Sequence, residues 1–72
     1  MSLSEYYKIE TGMTYEEVIK IVGSYGTESA RTETQGYQIV IISWNGNGQI
    51  GANATVTFEN GRVSSKAQVG LQ

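Results

Sequence analysis

The apolar positions of this chain change period twice. Tyr15, Val18, Ile19 and Val22 recur at i, i+3, i+4 and i+7, the spacing of one helix face. Thr14 is followed three residues later by Glu17, a capping box in which each side chain satisfies an unpaired amide of the first turn. Met13 before the cap and Val18 can form a hydrophobic staple, and Gly23 stands where a left-handed C-terminal residue is usual. These signals predict a helix over 15–22 with its apolar stripe in the core. Upstream, Ser4 to Ile9 predicts a short helical turn contacting the rest through Tyr6, Tyr7 and Ile9. A helix this short needs tertiary packing to persist.

After Gly26 the period becomes two. Thr27 to Thr34 is polar and Thr-rich, as an exposed edge strand carrying Glu28, Arg31 and Glu33 would be. Gln35-Gly36 marks a tight turn, Tyr37 to Asn45 a strongly apolar central strand, and Gly46 to Gly51 a flexible connection. From Ala52 to Glu59 the alternation is clean, with Ala52, Ala54, Val56 and Phe58 on one face. Asn60-Gly61 then signals a two-residue hairpin, because a type I′ turn needs positive φ at both central positions. An unbroken ladder from that turn pairs Glu59 with Arg62, Phe58 with Val63, Val56 with Ser65 and Thr55 with Lys66. It places Val63, Ala67 and Val69 on the core face, and Thr55, Thr57, Ser64, Lys66 and Gln68 on a polar face. The fold class that follows is α+β, with two N-terminal helices packed on one face of a four-stranded antiparallel β-meander.

One strand does not fit a sheet covered on a single side. In Tyr37 to Asn45, Tyr37, Ile39 and Ile41 lie on one face and Val40, Ile42 and Trp44 on the other, so both are apolar. Either both faces are covered or one patch is presented to a partner.

Composition narrows the chemistry. The 72 residues include no His, Cys, Asp or Pro, seven Glu, and five Lys or Arg, for a net charge of −2. One small domain, spanning 4–71, accounts for that length, and Met1-Ser2-Leu3 reads as an expression leader. Without His or Cys the usual zinc, haem and iron–sulfur ligand sets cannot be assembled, so neither a metal nor another cofactor is expected. Ser–His and Cys–His nucleophile pairs are impossible for the same reason. Glu16 and Glu17 are adjacent on a helix and point in different directions, and the other Glu are scattered, so catalysis is not expected. Nucleic acid calls for clustered Lys/Arg, which the chain lacks. No apolar run approaches the roughly 20 residues that span a bilayer.

Two motif matches lose to simpler readings. Gly46-Asn47-Gly48-Gln49-Ile50-Gly51 spells G-x-G-x-x-G, but a strand rather than a helix follows it. Asn53-Ala54-Thr55 spells a glycosylation acceptor inside a predicted strand, where chance explains it. The candidate protein-binding residues are Trp44 and Tyr37, since aromatic residues dominate interface hot spots. Lys66, Thr55 and Thr57 join them on the polar sheet face, with Arg62 as a second charge and Tyr6 and Tyr7 as weaker candidates. Core packing is the alternative for each aromatic, and ordinary solvation for Lys66 and Arg62.

Taken together, Tyr6-Tyr7-Lys8-Ile9, Thr11 to Val18 (TGMTYEEV), Ile42-Ser43-Trp44, Gly51 to Phe58 with Asn60-Gly61, and Ser65 to Gln68 resemble the β-lactamase-inhibitor-like domains of Gram-positive lipoproteins and secreted proteins. The resemblance covers Ser4 to Leu71. The K-I-x-T-G-M-T-x-x-E-V stretch is also similar to the small outer-membrane lipoproteins that assist β-barrel assembly. The resemblance implies the two-helix, four-strand fold already read from the pattern, a cell-envelope or secreted location, membrane attachment only through a removed lipid anchor, and no catalysis. It also implies a grip on another protein through the sheet face and loops. The family's namesake has two tandem copies, so a single sheet offers about half of a standard interface.

Three functions are therefore carried forward. The first is a non-catalytic protein-interaction module of a cell-envelope protein, whose partner is another protein. The second is a β-lactamase inhibitory protein, and the third a self-associating structural domain whose second apolar strand face is covered by another copy in a homodimer.

Overall fold

A computed structural model describes residues 1–47 and 51–72. Its elements run α1 (Leu3–Lys8), α2 (Tyr15–Val22), β1 (Thr27–Thr34), β2 (Tyr37–Asn45), β3 (Asn53–Glu59) and β4 (Arg62–Val69). The connection predicted over Gly46 to Gly51 falls partly outside the described residues.

Both helices begin with complete capping boxes. At α2 the Glu17 amide donates to Thr14 Oγ1 at 3.3 Å and the Thr14 amide to Glu17 Oε1 at 3.0 Å. Gly23 closes the helix in the left-handed region at φ 85°. The helix predicted from Ser4 starts one residue earlier, because Ser2 and Glu5 form a second reciprocal cap. The residues before Ser4 thus carry specific contacts. The Met1 ammonium donates to the Asn45 carbonyl at 2.7 Å, and the Leu3 amide to the Gln72 carbonyl at 3.1 Å.

The Glu17 cap has a pH signature. The Thr14 amide, and then its hydroxyl, hold the Glu17 carboxyl below its ordinary value of 4.5. A folded-state pKa below the unfolded one stabilises the fold above the unfolded value, and that contribution is lost as pH falls through the folded value. Glu17→Gln keeps the cap geometry without the titrating group. It is expected to flatten the acid limb of a urea-midpoint series below pH 4.5 while leaving some slope. Glu33 and Glu59, lowered chiefly by hydrogen bonds from Gln38 and Tyr37, supply what remains.

The strands form one antiparallel meander in the order β1-β2-β3-β4. Both short hairpins use positive φ at two successive positions, Gln35 (42°) and Gly36 (82°), then Asn60 (51°) and Gly61 (82°). Glu59 pairs with Arg62 and Phe58 with Val63, as the turn chemistry requires. Beyond that point the unbroken ladder is wrong. Thr57 pairs with Ser65, Val56 with Lys66 and Thr55 with Ala67, because Ser64 is an extra residue in β4. The Ser64 hydroxyl donates to the Thr57 carbonyl at 3.3 Å at the irregularity. A one-residue bulge inverts every later side chain. Lys66 and Gln68 consequently turn toward the helices, while Ala67 and Val69 face away from them, the reverse of the expectation.

The core lies between the helices and one sheet face. It comprises Ile9, Val18, Val40, Ile42, Trp44, Val56, Phe58 and Val63, with Met1, Met13, Tyr15 and Val22 packed on it. Tyr15 is the aromatic keystone, 5.5 Å from Phe58 edge-on and 6.1 Å from Trp44. Gly26 admits the approach of β2, since a Cβ there would overlap Ile42 and come within 2.8 Å of the Trp44 ring.

Candidate functional site

The layering resolves the doubly apolar strand. Val40, Ile42 and Trp44 of β2 pair with Phe58, Val56 and Ala54 of β3, and all six are buried beneath the helices. Ile39, Ile41 and Ser43, which alternate with them, pair with Glu59, Thr57 and Thr55 on the opposite face. Among the described residues no helix or strand covers that face. It continues onto Ala30, Thr32 and Thr34 of β1 and onto Ser65, Ala67 and Val69 of β4. Apart from the Glu59–Arg62 pair at the hairpin end, these positions are uncharged.

The sequence candidates separate between the two faces. Tyr37 (45% exposed), Thr55 and Thr57 lie together on the open face. Trp44 does not, being 4% exposed on the helix side with its indole N–H donating to the Ser24 carbonyl at 3.1 Å. A ring on the same face as Ile42 and against Tyr15 belongs to the core, so its placement on the solvent face is corrected. Ile39 and Ile41 were visible in the sequence as one of two equivalent apolar faces. Ala67 and Val69 were assigned to the core because the bulge at Ser64 left no Gly or Pro to mark it.

Lys66 is likewise displaced from the polar face. Its ammonium donates to the Tyr6 and Ile9 carbonyls at 2.7 and 2.9 Å, and lies 4.3 Å from the centre of the Tyr6 ring. It therefore satisfies carbonyls at the C-terminal end of α1 and pins that helix to β4. Two charge-assisted hydrogen bonds of this kind contribute more than neutral ones. Lys66→Met, which keeps the aliphatic stem, is expected to lower stability by about 1.5–3 kcal/mol. A urea titration followed by circular dichroism measures it, and an unchanged midpoint would show that α1 docks without the lysine.

Tyr37 is oriented on the open face by donating its hydroxyl to Glu59. That bond raises the Tyr37 pKa and lowers that of Glu59, so the phenol stays protonated and the carboxylate charged at neutral pH. The tyrosine is thus an aromatic plate held in place with its hydroxyl already partnered.

Fold and surface together define a two-layer α+β domain that buries one sheet face under two helices and presents the other. The chain belongs to the beta-lactamase inhibitor (BLIP) family, whose model matches residues 2–72. No curated protein matches it.

Proposed function

We propose that the chain is a non-catalytic protein-interaction domain that grips another protein with its open sheet face, through Tyr37, Ile39, Ile41, Thr55 and Thr57. The observation that carries this reading is the second apolar row of β2, left uncovered in a sheet whose opposite face already holds a complete core. Ile, Thr and Tyr side chains on rigid strands lose little rotamer freedom when covered, which favours a docking role over a solvated one. Family membership supports the same reading, and secretion is the setting consistent with it.

A β-lactamase as the partner is the finer reading, favoured by the family's description across residues 2–72. Titrating a class A β-lactamase with the chain tests it. Inhibition that Thr57→Lys abolishes is the expected result, and unchanged turnover at excess chain removes this partner. The broader reading is then tested by capture from cell-envelope extract on the immobilised chain. A protein held by the parent and released by Thr57→Lys supports the face; equal retention by both contradicts it.

A further inference from the structure

The two edges of the sheet are not equivalent. At the β4 edge the connector between the helices adds a short antiparallel pairing. The Gly12 amide donates to the Val63 carbonyl, the Val63 amide donates to the Met13 carbonyl, and Thr14 bridges Arg62. The Arg62 guanidinium adds a bond to the Gly12 carbonyl at 2.9 Å. Nothing comparable lies along β1. All eight of its residues are exposed, and among the described residues its outer side has no backbone partner. Proteins usually blunt such an edge with Pro, Lys or a bulge. Here a bulge at Ser29 interrupts the strand, leaving Ala30 to Thr34 as a regular segment paired residue by residue with Ile41 to Tyr37.

We infer that this segment is a self-complementary edge at which two copies of the chain pair antiparallel, joining their sheets into one of eight strands. The occupant is argued from charge and symmetry. The regular segment Ala30-Arg31-Thr32-Glu33-Thr34 is centred on Thr32. A two-fold axis through Thr32 sets Arg31 opposite Glu33 of the second copy and Glu33 opposite its Arg31. Ala30 then meets Thr34, and Thr32 meets itself. The centre dictated by the bulge and the centre dictated by opposite charges are the same residue. Arg31 and Glu33 lie on the helix side of β1, at side-chain exposures of 46% and 60%, and within one copy they are already 3.0 Å apart. Pairing across the axis exchanges contacts that each already makes within its own chain, Arg31 with Glu28 at 2.8 Å and Glu33 with the Gln38 side-chain amide at 2.8 Å, for contacts to the opposed strand. On the other side Ala30, Thr32 and Thr34 carry no charge, so the open faces of the two copies join without a charged seam.

The pairing is distinct from covering the open face, and it stands whatever that face binds. One consequence concerns area. Four strands at about 4.8 Å spacing and seven residues at about 3.3 Å give a flat face of roughly 450 Å². That is about half the roughly 800 Å² that each partner contributes to a standard interface. Two copies joined at β1 present the full area.

Sedimentation equilibrium of the chain from about 10 µM to about 1 mM covers the weak affinity that a single shared strand provides. The weight-average mass is expected to rise with concentration from 7.9 kDa toward twice that value. Arg31→Glu and Glu33→Arg should each weaken the dimer about tenfold by opposing like charges across the axis. The double variant Arg31→Glu/Glu33→Arg, which exchanges the pair, should restore it. A mass that stays monomeric throughout, or a dimer indifferent to both single reversals, overturns the inference. Should a reversal impair folding, backbone amide exchange in the parent chain decides instead. Amides 30–34 must exchange more slowly as concentration rises while those of β4 do not, and a concentration-independent pattern contradicts the pairing.

Discussion

Trp44→Ala is expected to remove about 3–5 kcal/mol of folding stability, the cost of emptying a large aromatic site in a core. A 72-residue domain has on the order of 4–11 kcal/mol in total, so the variant loses a large part of its stability. The ring is packed against Tyr15 and buried to 4%, and its removal also leaves the Ser24 carbonyl without the indole donor. Trp44→Phe should keep most of the packing and lose mainly the hydrogen bond, about 1 kcal/mol. Urea unfolding followed by circular dichroism separates the two. If Trp44→Ala unfolds at the parent midpoint, the ring is not part of the core. The variant also carries a warning for binding work, since loss of a partner on removing Trp44 reports a damaged core rather than a lost surface contact.

Ile41→Lys should have the opposite character, with stability changed by less than about 1 kcal/mol and partner affinity reduced on the order of 100-fold. The lysine stem can lie along the sheet where the isoleucine lay and carry its charge into solvent. Once a partner covers the face, that charge has to be desolvated, which places the loss in the range of an interface hot spot. The adjacent residue is the control. Ile42 has the same side chain but points under the helices, where it is buried, and Ile42→Lys puts an unpaired charge into the core. Neighbouring, chemically identical substitutions are therefore expected to give one folded chain that has lost its partner and one chain that does not fold. Thermal denaturation and a binding isotherm on the pair measure both. Similar stability losses in the two would mean that the faces of β2 are not differentiated as described.

What was readable from residues alone follows from how local each signal is. Thr14 and Glu17, Gly23 and Asn60-Gly61 act through their own backbone, and α2 and the last hairpin turn lie where those residues predict. The bulge at Ser64 is different. The Ser64-Ser65 pair contains no residue that demands unusual φ, so period-two alternation continues through it on paper and is wrong from Ser65 onward. Lys66 paid for that slip twice, losing its place on the open face and hiding its role at the end of α1. The choice between the two faces of β2 was hidden for another reason. It depends on the β2–β3 register, which puts Trp44 opposite Ala54 and Ile41 opposite Thr57. The Gly-rich connection between those strands has no turn signature to set it, whereas the apolar face of β3 was clear from alternation alone. Thr55 and Thr57 were placed together on the polar face because neither depends on the bulge, whereas Tyr37 and Trp44, on opposite faces of β2, were offered alike.

Hydroxyl-radical footprinting of the chain, free and bound to the protein it captures, tests the docking face most directly. Three exposed tyrosines serve as internal reporters, Tyr37 on the open face, with Tyr7 (68% exposed) and Tyr25 (79% exposed) away from it. The expected result is that oxidation of Tyr37 falls on binding while that of Tyr7 and Tyr25 stays at its free rate. Protection of Tyr7 or Tyr25 with Tyr37 still fully reactive would place the partner on the helix side and contradict the open sheet face as the binding surface.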